Sequence, residues 1–343
     1  MIRRPRAVVA AVGVGALLVV ATGGAASAQD SGEVNISGSS TVEPITSLVA
    51  ELYAGENPDV KVRVDGPGTG DGFKLFCQGE TDVSDASRPI KDEEATACQS
   101  GGVEYTELKI GIDGLTLVAN KASKLKCVDF AQVYGIFGPE SDGTLATAQS
   151  VAEELGSTNK ALPTGDVKKF TPGPESGTYD SFIEIAYQST IDDRLAAGKI
   201  TDTTTDDAGE QVATDPVKSD GQFPNDNDIV RRVEGSKNGI GFFGFAYYEQ
   251  NAGELKSLAV QNPDTGKCVK PTKKTIQKGT YPLRRDLFIY PNNAKALDNK
   301  SVKSFVDFYL TKNGLKDAVS EAGYVPLPKA DQKETQSTWS AVG

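Results

Sequence analysis

The chain has 343 residues, a net charge of −11, four cysteines and no histidine. So acidic a chain offers nucleic acid or an anionic membrane no electrostatic footprint. Without histidine there are no Ser–His or Cys–His nucleophile pairs and no histidine-bound metals, and the length is enough for two domains.

Residues 1–28 read as a secretory signal peptide. Arg3, Arg4 and Arg6 form a basic start, residues 7–20 an apolar run, and Ala26-Ser27-Ala28 a cleavage site. Losing three arginines and no acid takes the net charge from −11 to −14. The rival reading is an uncleaved anchor. The first 76 residues hold no cysteine, so no lipid-anchor Cys is expected. The expected location is outside the cytoplasm, periplasmic or associated with the cell wall.

Residues 34–37 predict a strand. Val42, Ile45, Leu48, Val49 and Leu52 then fall at helical spacing, with Gly55 as a stop. Residues 60–64 alternate as a strand, Phe73 and Phe76 open a short helix ending near Gly79, and residues 81–86 return as a strand. This order is the α/β pattern, in which ligands lie beyond the carboxyl ends of strands. Residues 108–120 and 283–291 are long β-type runs, read as the two crossovers of a hinge. They divide the chain into a discontinuous domain I (29–118 plus 286–343) and domain II (119–285). Within domain II, residues 130–137 and a segment starting at Ser176 predict helices. Residues 201–223 are a polar surface excursion, with Asp226 and Asp228 shaping a turn after it, and residues 239–248 a strand-to-helix turn. Val302, Phe305, Val306 and Tyr309 mark a late amphipathic helix.

Three Gly/Ser/Thr-rich segments precede helical patterns: Ser37-Gly38-Ser39-Ser40-Thr41, residues 66–73 around Thr69, and Gly173-Pro174-Glu175-Ser176-Gly177-Thr178. A helix start presents unpaired N–H groups and the positive end of the dipole. Glycine admits close approach and Ser or Thr adds a hydroxyl donor. Three such starts converging would cage a small oxyanion. An even cysteine count in an exported chain suggests two disulfides, with three pairings open. A hinge stays free if each bond lies within one domain, which favours Cys77–Cys98 and Cys127–Cys268.

Five segments in order resemble the substrate-binding protein of the bacterial high-affinity phosphate ABC transporter. They are residues 37–44; residues 68–73 with Gly79-Glu80-Thr81-Asp82 and Ala86-Ser87-Arg88-Pro89-Ile90; Ser176-Gly177-Thr178 with Phe182; residues 240–248; and Tyr281-Pro282-Leu283 with Leu287-Phe288-Ile289-Tyr290. The resemblance implies a two-domain periplasmic-binding-protein clamshell holding a dehydrated oxyanion through N–H groups, hydroxyls, an arginine and a carboxylate. It places phosphate contacts at Ser40, Thr41, Thr69, Ser176, Gly177 and Thr178. The family's better-known branch has arginine where this chain has Pro172, and aspartate where it has Ser87. Arg88 is the expected substitute cation. Of Glu175, Asp71 and Asp85, Asp71 is the preferred acceptor carboxylate.

The expected function is capture of inorganic phosphate for an ABC permease by a monomer that is not an enzyme and needs no cofactor or metal. The rivals are a binder of another tetrahedral oxyanion (sulfate, molybdate, tungstate), a secreted phosphatase, and an adhesive protein that would leave the three loops without a purpose.

Overall fold

A computed structural model describes residues 32–206 and 209–342. The signal-peptide segment lies outside the described residues, and no described helix is long and apolar enough to cross a membrane.

Strand β1 (Gly32–Gly38) leads through the Ser39–Val42 turn into helix α1 (Glu43–Glu56), which buries Ile45, Thr46, Val49 and Tyr53 on one stripe. Strand β2 (Val60–Asp65) follows, then helix α2 (Thr69–Cys77), strand β3 (Val83–Ala86) and helix α3 (Asp92–Ser100). Strand β4 (Leu108–Ala119) is twelve residues long and buried over nearly its whole length. At about 3.3 Å per residue it spans roughly 40 Å, enough to belong to two cores.

The second half supplies strand β5 (Lys168–Thr171), helix α4 (Gly177–Ala186), the short strand β6 (Gly221–Gln222), helix α5 (Asp226–Gly235) and strand β7 (Gly239–Gly244). Strand β8 (Arg284–Pro291) and helix α6 (Lys300–Tyr309) then return to the first core. The strand order is β2-β1-β3-β8-β4-β7-β5-β6. Residues 108–114 of β4 pair with β8, and residues 115–119 pair with β7. One strand thus passes from lobe to lobe, and β8 runs antiparallel beside it.

Two apolar cores follow from this path. One joins Val34, Ile45, Val49, Phe305, Val306 and Trp339; the other joins Leu117, Val133, Phe137, Phe182, Ile240 and Phe242. The expected two-lobed α/β fold is what the chain adopts. Phe130–Phe137 is a helix, and Gly239–Gly244 turns directly into the helix Phe245–Gln250. The polar excursion contains a hairpin of Thr203–Thr205 with Gln211–Ala213. Asp226 and Asp228 do not shape a turn: they occupy the first turn of α5, where acids complement the helix dipole and Asn225 supplies the cap.

Both disulfides have the expected pairing, Cys77–Cys98 and Cys127–Cys268. The first ties α2 to α3. The second ties the strands Cys127–Val128 and Cys268–Val269, the outer members of a three-stranded sheet.

Helix α2 lies directly on β1 because Gly72 has no side chain. A Cβ there would stand 2.3 Å from the Gly38 Cα. Backbone cannot give way as a flexible side chain can, so Gly72→Ala is expected to cost about 1–3 kcal/mol through overpacking. Thermal unfolding of the variant measures it; an unchanged midpoint would contradict the close approach.

Candidate anion-binding site

The first loop is set by backbone bonds. Ser39 N–H donates to the Asp85 carbonyl at 2.9 Å, and the Ser39 carbonyl accepts from Val42 and Glu43. Ser39 Oγ accepts from Thr41 N–H at 3.2 Å. Thr41 is thereby buried at the start of α1, with Ser40 half-buried beside it.

Helix α4 supplies the facing surface. Ser176 caps it, its hydroxyl accepting from Thr178 N–H at 3.2 Å. Phe182 is fully buried and stacks on Phe242 at 3.7 Å, with Phe137 edge-on at 5.3 Å. Full burial of one such ring contributes about 1.5–3 kcal/mol, so the helix start is held by its own apolar face. Gly177 lies against the first loop: a Cβ there would be in ordinary contact, 3.4 Å from the Ser40 carbonyl oxygen and from the Thr41 Cα. The Thr41 and Ser181 hydroxyl oxygens are 3.3 Å apart. Five of the expected anion residues, Ser40, Thr41, Ser176, Gly177 and Thr178, therefore come together where the lobes face each other.

Thr69 sits at the start of α2, where its hydroxyl accepts from Ser87 N–H at 3.2 Å and pairs with Ser87 Oγ at 3.0 Å. The two positions are one local link between helix start and strand end.

The cation at the cleft is a residue the sequence reading missed. Arg285 and Asp113 are direct cross-strand partners on β8 and β4, so their side chains share a face. One Arg285 Nη donates to Thr41 Oγ1 at 2.9 Å and to Ser181 Oγ; the other pairs with Glu184. Its Nε lies 3.5 Å from Asp113 Oδ2, and neither of these buried atoms makes a hydrogen bond. One guanidinium thus touches the first loop, α4 and the opposite crossover.

Arg88 is placed differently from expectation. Its fork closes on Glu94 of α3 with two bonds of 2.7 Å, and its guanidinium lies over the Phe73 ring at 5.8 Å. Glu94 serves Lys91 N–H as well, at 2.9 Å. Arg88 is therefore bound within its own lobe, which is the ordinary fate of a strand-end arginine beside an acidic helix start. Asp71 is exposed in the first turn of α2, whereas the carboxylates in contact with the cleft cation are Glu184 and the buried Asp113.

Burial pushes the Asp113 carboxyl up, and Arg285 opposes the shift. Asp180, near Ser40, is likewise raised by burial, with Glu184 adding to the rise and Arg285 countering it. Arg88, Lys91, Arg284 and Arg285 line one opening of about 650 Å³ together with Glu184 and Asp286. Each of these cations is ion-paired, Arg88 with Glu94, Lys91 with Glu93, Arg284 with Asp286 and Arg285 with Glu184, so an anion entering there meets cations already held by acids. Among the described residues no group of histidine, cysteine, aspartate or glutamate has a metal-holding arrangement. The site can hold a small oxyanion.

Comparison with known proteins gives one consistent picture. A family model described as a PBP superfamily domain matches residues 23–313. Protein SphX of Synechococcus elongatus is 39% identical over 305 residues, 88% of this chain and 80% of that protein. The phosphate-binding protein PstS of Staphylococcus saprophyticus is 37% identical over 333 residues, 95% of this chain and 91% of that protein. The crystal structure of a possible phosphate binding protein from Planctomyces limnophilus superposes with a TM-score of 0.75 at 34% identity, covering 91% of this chain and 99% of that one.

Proposed function

This chain belongs to the PBP superfamily, and on that premise we propose that it is an extracytoplasmic receptor that captures inorganic phosphate between its lobes and hands it to an ABC permease. The observation that carries the reading is Arg285 opposite Asp113 on the two crossovers, in contact with Thr41 and α4. Arg285 supplies the bidentate cation for the oxyanion. The starts of α1 and α4 supply backbone N–H groups and hydroxyls, from Ser40, Thr41, Ser176, Gly177 and Thr178, with Thr69 closing the lobe I side.

Asp113 is the acceptor that discriminates. An ionised carboxylate only accepts hydrogen bonds. Hydrogen phosphate brings a proton to it; sulfate brings none and would leave two buried negative groups in contact. The phosphate named for one of the two relatives and for the solved structure supports the same ligand. The receptor acts as a monomer and performs no covalent chemistry. Closure is a hinge motion, domain I being residues 29–118 plus 286–343 and domain II residues 119–285, with the anion bridging the two lobes.

Calorimetric titration of the anion-stripped protein is the test. Tight one-to-one phosphate binding without sulfate heat is expected. Binding of sulfate, molybdate or tungstate in preference to phosphate would replace this reading by another tetrahedral oxyanion.

A further inference from the structure

Behind Asp113 lies a second cavity, of about 270 Å³, bounded by Thr178, Asp226, Tyr247, Glu321 and Tyr324 among others. Asp113 is 3% exposed, and its Oδ2 makes no hydrogen bond. Thr178 is the last residue of the Ser-Gly-Thr helix start, so the cavity reaches the anion site itself.

Asp226 lies in the first turn of α5, where it complements the helix dipole, but it is not the residue that caps the helix. Asn225 caps α5, its side chain accepting from Asn227 N–H at 2.9 Å. The Tyr247 hydroxyl bonds Asn227, not Asp226. On its own helix Arg231 is paired with Asp228 and Arg232 lies over the Phe223 ring. Asp226 borders the cavity together with Asp113, Glu321, Tyr247 and Tyr324. Burial alone pushes its carboxyl up to about 6. Three carboxyl groups and a threonine around this space suit a ligand that carries hydroxyl groups of its own.

We propose that Asp226 is a second specificity residue beside Asp113, sharing one further proton with the bound phosphate. The site then takes phosphate with two protons between it and the protein, one toward each carboxylate. The proposal rests on the phosphate reading above. No covalent bond forms or breaks. At about pH 8, above the second ionisation of inorganic phosphate, free phosphate is mainly the dianion and Asp226 is ionised. Capture therefore draws one proton from solvent for each anion bound, whichever of the two oxygens holds it more closely.

Calorimetry in two buffers of different ionisation enthalpy reads that proton directly. The wild type is expected to take up about one proton per phosphate at about pH 8, and its affinity to fall about tenfold per pH unit above that point by linkage. Asp226→Asn is expected to bind phosphate with little proton uptake and a flat pH profile. A wild type that binds phosphate with no uptake, or an Asp226→Asn variant that keeps the full uptake, overturns the second acceptor and leaves the phosphate reading standing. A wild type that does not bind phosphate overturns both. If the amide variant fails to bind, Asp226→Glu, which keeps the carboxyl, is expected to restore binding and uptake together; binding restored without uptake overturns the proposal.

Discussion

Arg285→Ala is expected to lower phosphate affinity by at least about a hundredfold. Hydrogen bonds to charged groups contribute about 1.5–3 kcal/mol each, and loss of a bidentate pair removes two, with a factor of ten for every 1.4 kcal/mol. The side chain is 12% exposed, so solvent screens little of this. The same change leaves Asp113 buried without its cation, a second cost of about 3–5 kcal/mol that proton uptake by the carboxyl partly relieves. Arg285→Lys keeps a charge but not the fork, and should recover only part of the affinity. Arg88→Ala is the contrast. Its bonds go to Glu94 at 31% and 16% side-chain exposure, so affinity should stay within a few-fold. Calorimetry on the three variants checks the assignment; an Arg88→Ala protein that loses binding while Arg285→Ala keeps it would reverse the two roles.

Removing the Cys127–Cys268 bond should have the largest effect on stability. It closes 141 residues of chain. In the chain-entropy account a loop of that order is worth about 5 kcal/mol, and native bonds deliver about 2–5. The paired change Cys127→Ala with Cys268→Ala is therefore expected to lower stability by about 3–5 kcal/mol in denaturant unfolding. Cys77–Cys98, with a separation of 21, should cost about 3 by the same reasoning. Phosphate affinity should change little on loss of Cys127–Cys268, because both strands it joins flank Ala259–Gln261 in one small sheet of the second lobe. A large affinity loss in that variant would mean that the bond spans moving parts.

The sequence carries the architecture because its signals are local. The apolar stripe Ile45–Val49, the cap Ser176 and the long β runs each specify an element without reference to the rest. The two crossovers were legible as runs of apolar residues, and the disulfide pairing followed from them. What stayed hidden is contact across the cleft. Arg285 stands in Leu283-Arg284-Arg285-Asp286-Leu287, and Asp113 in Ile112-Asp113-Gly114-Leu115. A charged residue inside a buried strand was the available signal, since such a charge needs a partner. Only the register of β8 on β4 shows that the two charges are each other's partner. Arg88 drew attention through its place beside a motif serine, and Glu94, three residues after Lys91, was the competing partner that local spacing did not rank. Helix α5 went unread because Asn225-Asp226-Asn227-Asp228 has turn-forming composition, although Asn followed by acids is equally a helix start.

The crystal structure of the phosphate complex tests the central claim most directly. The expected result is an anion with oxygens in hydrogen-bond reach of the Arg285 guanidinium, of the starts of α1 and α4, and of one Asp113 carboxylate oxygen, with Arg88 still closed on Glu94. A phosphate held by Arg88, with Arg285 remaining on Glu184 and Asp113 away from the ligand, would contradict it.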